Sequence, residues 1–467
     1  MSVPVRRRSA AIIGGVAAAL MLAACGSSST TTPSSSSANP SDSSSTSAST
    51  DPACAAYATY GSHPNTTVSL FTSILPPEQQ QYEKAWADFS KCTGITIKYE
   101  GSSQFEALLP TRIAGGNAPD IAIIPQPGLL AKLASNDATK PKPAPDSVSK
   151  LVDANWAPSF KTLGTVAGVF YAAPLSSNMK SLVWYSPSVF AAHKYAIPTT
   201  WDDMMKLSDQ MVKDGIKPWC GGIGSGGATG WPATDWLEQV VLRQAGPDVY
   251  DKWITHDIKF NSPEITAAMN TVAGWMKNPA YVNGGWGDVK TIATTTFQNA
   301  GKPILDGKCG MLQQASFYAA QWDSFKKGAK IAKDGDVFAF YLPPMANSKP
   351  TPVVGGGEFI AAYSDRPEVQ AFQTYLASGE FATAKVKLGG WTSANNKVPL
   401  DAYSDDVTKL AISILTKPDA TFRFDASDMM PAAVGAGEEW KQLTAWFGED
   451  KPTADVLTAI DAAWPSS

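Results

Sequence analysis

The feature that most constrains the fold is an alternation of strand-type and helix-type segments between residues 68 and 125. Three short apolar segments are typical of buried strands: VSLFT (68–72), ITIKYEG (95–101) and DIAIIP (120–125). Apolar residues at helical spacing lie between them, at Tyr82, Trp86 and Phe89, then at Phe105, Leu108, Leu109 and Ile113. This β-α-β-α-β order predicts an α/β fold built on a mostly parallel sheet with helices on both faces.

The same alternation of strand-type and helix-type segments recurs further along the chain. MKSLVWYSPSVF (179–190) is typical of a strand and a turn, and Thr200 is a candidate N-cap for a helix that contains Met204, Leu207 and Met211. Two later segments, 308–322 and 355–378, each indicate a strand leading into a helix. A body of more than 400 residues exceeds a single core, so two domains are expected.

The N-terminus indicates export. Three arginines (6–8) precede the apolar run 10–22, which is too short to span a membrane comfortably, and the segment LAAC ends at Cys25. This segment resembles the lipobox of bacterial lipoproteins, and the alternative is an ordinary secretory signal with a chance cysteine. The resemblance implies a signal peptide at 1–24 and an acylated Cys25 that anchors the protein on the outer face of the cell membrane. The Ser/Thr-rich composition of residues 25–52 predicts a disordered tether.

Charge excludes one class of partner. Removal of residues 1–24 takes away three Arg and no acid, so the formal net charge falls from −4 to −7, with 35 basic against 42 acidic residues. This balance disfavours nucleic acid as a partner.

Four cysteines remain after Cys25 and allow three disulfide connectivities. We favour Cys54–Cys92 and Cys220–Cys309, because each pair then closes a loop within one region of the chain. A zinc site is not expected, because the chain has no Cys-x-x-Cys and its three histidines (63, 193 and 256) are widely spaced. We expect no cofactor.

Five segments in order carry a family resemblance: GNAPDIAIIPQPG (116–128), YAAPLSSNMKSLVWYSPSVF (171–190), PTTWDDMMKLSDQM (198–211), GKCGMLQQASF (307–317) and VVGGGEFIAAY (353–363). They resemble the extracellular solute-binding proteins of carbohydrate ABC importers, the group that includes maltose-binding protein. The segments PQPG and TGWPATDW are most similar to α-glucoside-binding proteins.

The resemblance implies a two-lobed periplasmic-binding-protein-like fold with a hinge and an inter-lobe ligand cleft. It predicts a first lobe of residues 53–173 and 305–354 and a second lobe of 174–304 and 355–467. The chain would cross between lobes at YAAPLSS, before GKCGM and at GGGEF. It also implies a monomer that binds a sugar and delivers it to the permease subunits of the importer.

The segment ATGWPATDWLEQ (228–239) is the main candidate for ligand binding. A sugar needs aromatic plates for its C–H faces and carboxylates or amides for its hydroxyls. We therefore predict ligand contacts from Trp231 and Asp235, and we place Trp236 in the core. The alternative is that one Trp packs in the core while the Asp caps the helix.

Other candidates come from strand ends and from polar-aromatic loops, and for each the alternative is packing or an ordinary surface position. Ser73 and Gln126 end strands at the carboxyl edge, where ligands of open α/β sheets lie. The resemblance adds the remaining positions: Gln314, Phe317, Glu358 beside the hinge, Trp391, Phe424, Asp425 and Asp428.

Individual features of the sequence suggest three other functions. Paired carboxylates such as Asp235 and Asp425 could in principle serve glycoside hydrolysis, but the family that the chain resembles is overwhelmingly non-catalytic, so no enzyme is predicted. An adhesion or sensor protein on the same lobes is compatible with a tether. The glycine run GGIGSGG (221–227) contains Gly-x-Gly-x-x-Gly but leads into Trp-Pro, which argues against a dinucleotide site.

Overall fold

The computed structural model describes residues 51–346, 348 and 351–466. The predicted signal peptide, Cys25 and almost all of the predicted tether lie outside the described residues. Within the described ranges, no helix has the length and apolar character needed to cross a membrane.

The strands are β1 (Thr66–Thr72), β2 (Ile95–Gly101), β3 (Ile121–Ile124), β4 (Thr165–Val166), β5 (Val169–Phe170), β6 (Ala172–Pro174), β7 (Asn178–Met179), β8 (Leu182–Tyr185), β9 (Lys217–Trp219), β10 (Cys309–Gln313), β11 (Phe338–Tyr341), β12 (Thr351–Gly356), β13 (Phe359–Ala362) and β14 (Ala420–Phe424).

The α-helices are α1 (Glu78–Ala85), α2 (Ala87–Thr93), α3 (Phe105–Ala114), α4 (Pro127–Ala134), α5 (Asp146–Asn155), α6 (Pro158–Leu163), α7 (Pro187–His193), α8 (Trp201–Lys213), α9 (Trp231–Gln244), α10 (Pro247–Ile254), α11 (Pro263–Met276), α12 (Thr291–Thr294), α13 (Lys302–Leu305), α14 (Trp322–Phe325), α15 (Pro367–Leu376), α16 (Gly379–Val386), α17 (Asp406–Leu415), α18 (Ala426–Met429), α19 (Trp440–Gly448) and α20 (Thr453–Ala462).

The first lobe is built on a five-stranded sheet with the order β2-β1-β3-β13-β6. Strand β1 pairs in parallel with both β2 and β3, as the alternation of patterns predicts. Strand β13 lies antiparallel between β3 and β6. The buried aromatic residues Phe89 and Tyr375, whose rings stack 4.3 Å apart, belong to the core of this lobe.

The second lobe is built on a four-stranded sheet with the order β11-β8-β10-β9, and a small sheet β14-β12-β7 joins it to the first lobe. Its core is the largest in the molecule and contains the buried Trp184, Trp219, Trp236, Trp253 and Trp275.

The predicted division of the chain between the lobes is wrong in its second half. Strand β10 pairs with β8 and β9, so residues 309–341 belong to the second lobe rather than the first. Strand β13 and the buried residues up to Tyr403 belong to the first lobe. The predicted crossing before GKCGM is therefore absent from the described chain, whereas the crossing at GGGEF lies between β12 and β13. A further crossing lies between Tyr403 and Val407, where the chain leaves the core of the first lobe for that of the second.

Two disulfides tie segments that are distant in sequence. Cys54 is bonded to Cys92 at the end of α2, and Cys220 is bonded to Cys309 at the start of β10. Both pairs are the predicted ones. Each loop closure of this kind stabilises the folded state by about 2–4 kcal/mol.

Candidate ligand-binding site

A cavity of about 370 Å³ lies between the two lobes and is lined by residues of both. The first lobe contributes residues that follow parallel strands, such as Ser73 after β1 and Gln126 after β3. The second lobe contributes the start of α9 and the segment before α14. The remaining wall comes from the crossing segments, at Asn178, Lys180 and residues 356–358.

One wall of the cavity is aromatic. Trp231 is the first residue of α9, and its ring centroid lies 4.9 Å from that of Phe297 and 6.0 Å from that of Phe317. The preceding Gly230 has φ 117°, and a Cβ there would lie 2.3 Å from the carbonyl oxygen of Trp440. A glycine is therefore needed to turn the chain so that Trp231 faces the cavity.

Five residues further along α9, Trp236 has a different role. Its side chain is 1% exposed and packs edge-to-face against Phe447, with ring centroids 5.4 Å apart. The two tryptophans of ATGWPATDWLEQ are thus divided between the cavity and the core, as predicted for Trp236.

Lys180 is a buried cation behind the aromatic wall. Its ammonium donates to Asp235 Oδ1 at 2.8 Å and to Asp425 Oδ2, and lies 5.2 Å from the centre of the Trp231 ring. Burial lowers the pKa of Lys180, but the carboxylates of Asp235 and Asp425 outweigh this and hold it well above its usual value. Asp235, Glu238 and Asp425 approach one another within 4.8 Å, and the ammonium supplies the cation that two of them contact.

Glu358 connects two of the crossing segments. Its carboxylate accepts hydrogen bonds from the hydroxyl of Ser176 and from Asn178 Nδ2, the latter at 3.1 Å. Its backbone N–H donates to Ser176 Oγ at 3.1 Å, and its carbonyl accepts from the N–H of Leu175 at 2.8 Å. Burial raises the pKa of the Glu358 carboxyl to about 8. Glu358 therefore links the two crossing segments of the hinge, and the groups that donate to its carboxyl, the Ser176 hydroxyl and the Asn178 amide, are uncharged.

A second lysine lies on the first-lobe side. Lys385 Nζ donates to Gln81 Oε1 at 2.9 Å and lies over the rings of Tyr82 and Trp391. Burial lowers the pKa of Lys385 to about 8, against the opposing effect of the Glu78 and Glu358 carboxyls.

The glycine run GGIGSGG brings the lobes into contact at the cavity. The N–H of Gly227 donates to the carbonyl oxygen of Ser103 at 2.7 Å, from the second lobe to the first. A Cβ on Gly226 would lie 2.6 Å from that same oxygen. The glycines allow the two backbones to approach, which is a structural role unrelated to dinucleotide binding.

The structure brings seven of the predicted site residues to the cavity. They are Ser73, Gln126, Trp231, Phe317, Glu358, Asp425 and Asp428. Asp235 lies directly behind them, bonded to Lys180.

Three predicted residues lie elsewhere. The Gln314 amide oxygen accepts from the neighbouring N–H of Ala315 at 2.7 Å and stays buried behind the strand end. Trp391 is 1% exposed in the core of the first lobe, where its Nε1 donates to the hydroxyl of Tyr82. Phe424 packs on Phe359 in a smaller core. For Trp391 and Phe424 a tertiary partner takes the side chain away from the cavity, whereas the Gln314 side chain is bonded to the adjacent backbone N–H.

Several lining residues were not predicted, among them Lys180, Asn178, Glu106 and Trp440. Lys180 had a detectable signal, since a single charged residue between Met179 and the strand SLVWY interrupts an otherwise apolar segment. A buried Lys almost always has a charged partner, and this expectation would have pointed to a carboxylate nearby.

A family described as bacterial extracellular solute-binding protein matches residues 75–382. An osmoprotective compounds-binding protein of Synechocystis sp. is 35% identical over 417 residues, which are 88% of this chain and 96% of that relative. An alpha-glucosides-binding periplasmic protein of Rhizobium meliloti is 33% identical over 411 residues, 86% of this chain and 87% of that relative.

Among solved structures, the bacterial solute receptor AcbH, described as preferring β-D-galactopyranose exclusively, has the same fold. It superposes with a TM-score of 0.72 at 18% identity, covering 85% of this chain and 98% of the receptor. The predicted two-lobed fold is thereby confirmed.

Proposed function

Because this chain belongs to the family of bacterial extracellular solute-binding proteins, we propose that its cavity captures a small sugar, in particular an α-glucoside. The observation that carries the proposal is the pairing of the aromatic wall with hydrogen-bonding groups inside one cavity. Trp231 and Phe317 offer faces for the C–H surfaces of a sugar ring, and Gln126 and Asp428 offer partners for its hydroxyls.

The size of the cavity favours a short ligand. Its volume of about 370 Å³ is near the lower end of the range of about 300–1,000 Å³ that is usual for small-molecule sites. We therefore expect one or two sugar rings rather than a long oligosaccharide. The name of the Rhizobium meliloti relative supports an α-glucoside, and that of the Synechocystis relative supports a small osmoprotective solute.

We further propose how the protein is used. The Leu22-Ala23-Ala24-Cys25 segment supports an acylated Cys25 that anchors a monomer on the outer face of the cell membrane. Closure of the lobes on the ligand would then present the loaded form to the permease subunits of an ABC importer, since a ligand held by both lobes biases the protein toward the closed state.

The pair of carboxylates Asp235 and Asp425 does not favour catalysis on the ligand. Asp235 and Asp425 bond to the same ammonium, and each is 1% exposed. Glycoside hydrolysis needs two carboxyl groups that flank a scissile bond, one of them in contact with water or with the sugar. The arrangement therefore supports a binding protein.

The test is calorimetric titration of the protein lacking residues 1–24 with glucose, maltose, trehalose, sucrose and longer α-glucans. We expect saturable binding of at least one mono- or disaccharide. Silence across this panel from a folded protein would contradict the proposed ligand class.

A variant then links binding to this cavity. Trp231→Ala should weaken affinity roughly 30-fold, which corresponds to about 2 kcal/mol for the loss of an aromatic face. Trp464→Ala is the matched control, because Trp464 stacks on His256 away from the cavity. Equal affinities for the two variants would place the ligand elsewhere.

A further inference from the structure

One corner of the cavity is formed by three acceptor-bearing side chains from three elements. Glu106 lies on α3, Gln126 directly precedes α4, and Asp428 lies on α18; all three line the cavity. Gln126 Nε2 donates to Glu106 Oε1 at 3.2 Å. Helix α18 lies against the start of α4, where a Cβ on Gly128 would be 3.2 Å from the carbonyl oxygen of Asp428. We call these three residues the acidic corner.

The acidic corner has no cation of its own. Among the described residues, no salt bridge includes Glu106 or Asp428, and Lys180 is already bonded to Asp235 and Asp425. Burial raises the pKa of the Glu106 carboxyl. Burial, and then the neighbouring Asp425 carboxylate, hold the pKa of Asp428 well above its usual value. Burial is the main cause of both shifts, and the Lys180 ammonium, which favours the charged form of Asp428, does not outweigh it.

The corner also has unused acceptors. Gln126 is 4% exposed, and its Oε1 has no hydrogen-bond partner; Glu106 Oε2 is likewise buried without a partner. Asn178, which also lines the cavity, has a third such atom, its Oδ1. Buried acceptors without donors cost free energy, so the ligand is expected to supply donors here.

We infer that the acidic corner is a subsite for a protonated amine carried by the ligand. An ammonium group has three N–H donors and no acceptor, which matches an amide oxygen and two carboxylates that lack a counter-charge. A hydroxyl offers one donor and no charge, so it leaves part of this acceptor capacity unused. A ligand carboxylate or phosphate at the same place supplies neither a donor nor a positive charge and is disfavoured. The inference rests on the proposed function and defines the ligand class as amine-bearing glycosides.

The experiment compares matched ligands at pH 7. The 2-amino and 6-amino derivatives of glucose, and of the best-bound α-glucoside, are titrated beside their parent sugars and beside glucuronate. At least one amine is expected to bind about tenfold more tightly than its parent, as a charge-assisted hydrogen bond provides. Glucuronate is expected to bind more weakly than glucose.

Variants assign the preference to the corner. Glu106→Gln and Asp428→Asn each keep the side-chain shape while removing a carboxylate, and each should abolish the preference for the amine. Asp251→Asn is the charge-matched control, because Asp251 pairs with Arg423 outside the cavity and is half exposed. Thermal unfolding verifies that each variant folds, and Glu106→Gln is decisive if Asp428→Asn does not fold.

Two results would overturn the inference. If the parent sugars bind and every amine binds equally or more weakly, the subsite is wrong while the proposed function stands. If neither the parents nor the amines bind to the folded protein, both fail together.

Discussion

Two lysine clusters border the same cavity, each with one lysine near two acidic residues, yet the pKa values of the two lysines shift in opposite directions. Lys180 lies between Asp235 and Asp425, and Lys385 lies near Glu78 and Glu358. The carboxylates raise the pKa of Lys180 well above normal despite its burial, whereas burial lowers the pKa of Lys385 to about 8.

The difference arises from direct contact. Lys180 makes hydrogen-bonded ion pairs with both of its aspartates. Within the part of the chain that the structure describes, no carboxylate oxygen comes within 4.0 Å of Lys385, whose polar partner is the amide of Gln81. Two hydrogen bonds to carboxylates offset the desolvation of an ammonium, and one hydrogen bond to an uncharged amide oxygen does not. Lys180 therefore keeps its charge, whereas Lys385 loses its charge as pH rises through about 8.

The largest expected effect comes from breaking each cluster at its lysine. Lys180→Met leaves two buried aspartates without a counter-ion and should lower the free energy of unfolding by about 3–5 kcal/mol. Lys385→Met should cost about 1–2 kcal/mol, because its loss removes one hydrogen bond beside a Glu358 that holds its proton up to about pH 8.

Urea unfolding at pH 7 measures both losses. Lys441→Met, at an exposed surface pair with Glu438, is the control and should cost less than about 1 kcal/mol. Equal losses for the Lys180 and Lys385 variants would remove the distinction between the clusters.

A pH series sharpens the comparison. Burial raises the pKa of Glu358 from 4.5 to about 8, so the native state keeps a proton that the unfolded state loses, and stability falls as pH rises through this window. Lys385 acts in the opposite sense: between about pH 8 and 10.5 the unfolded state keeps a proton that the native state has lost, and stability rises. Stability contributed by this cluster therefore passes through a minimum near pH 8.

Glu358→Gln should reduce the fall of the unfolding free energy with pH below about pH 8 by up to about 1.4 kcal/mol per pH unit. Lys385→Met should flatten the rise of the unfolding free energy above about pH 8. Urea unfolding between pH 5 and 10 measures both slopes. Asp257→Asn, on an exposed loop of the second lobe, serves as the control and should leave them unchanged. Slopes that do not differ between wild type and Glu358→Gln would show that this carboxyl is ionised at neutral pH.

The smallest expected effect comes from giving Lys385 a carboxylate partner like those of Lys180. Gln81→Glu places a carboxylate where the amide oxygen now accepts from Lys385, so the pKa of Lys385 should rise and the unfolding free energy at pH 7 should increase by about 1 kcal/mol. The rise in stability above pH 8 should then move to higher pH.

Gln80→Glu adds the same charge at an exposed position of the same helix. It should leave both the unfolding free energy at pH 7 and the pH at which stability rises unchanged. If both variants give the same pH profile, the contact with Gln81 does not control the charge of Lys385.

Local patterns were enough to predict most individual elements. The period-two and helical spacings between residues 68 and 125 correspond to β1–β3 and the helices between them, and Thr200 caps α8 by accepting from the N–H of Asp203 at 3.1 Å. The sheet to which each strand belongs was harder to predict from the sequence. Strand β10 looks the same in sequence whichever sheet it joins, because its partners β8 and β9 lie more than eighty residues away.

The candidate site shows the same limit at the level of side chains. The position of Trp231 could be predicted, because the glycine and proline around it mark a turn into a helix. The position of Trp391 could not, because its ring nitrogen is bonded to a tyrosine 309 residues earlier in the sequence. Residue type predicts what a side chain can bind, and tertiary packing decides whether it reaches the cavity.

The insertion of β13 between β3 and β6 has a consequence for how the chain assembles. The four-stranded sheet of the second lobe is complete once Tyr341 is available, whereas the first sheet, which starts at Thr66, must wait for residues 359–362. Until then β3 and β6 have unpaired edges, which are sites for intermolecular strand pairing. The sheet that begins first is therefore completed last, so in a chain that emerges from its N-terminus the edges of β3 and β6 stay open until residues 359–362 are available, after the sheet of the second lobe is complete.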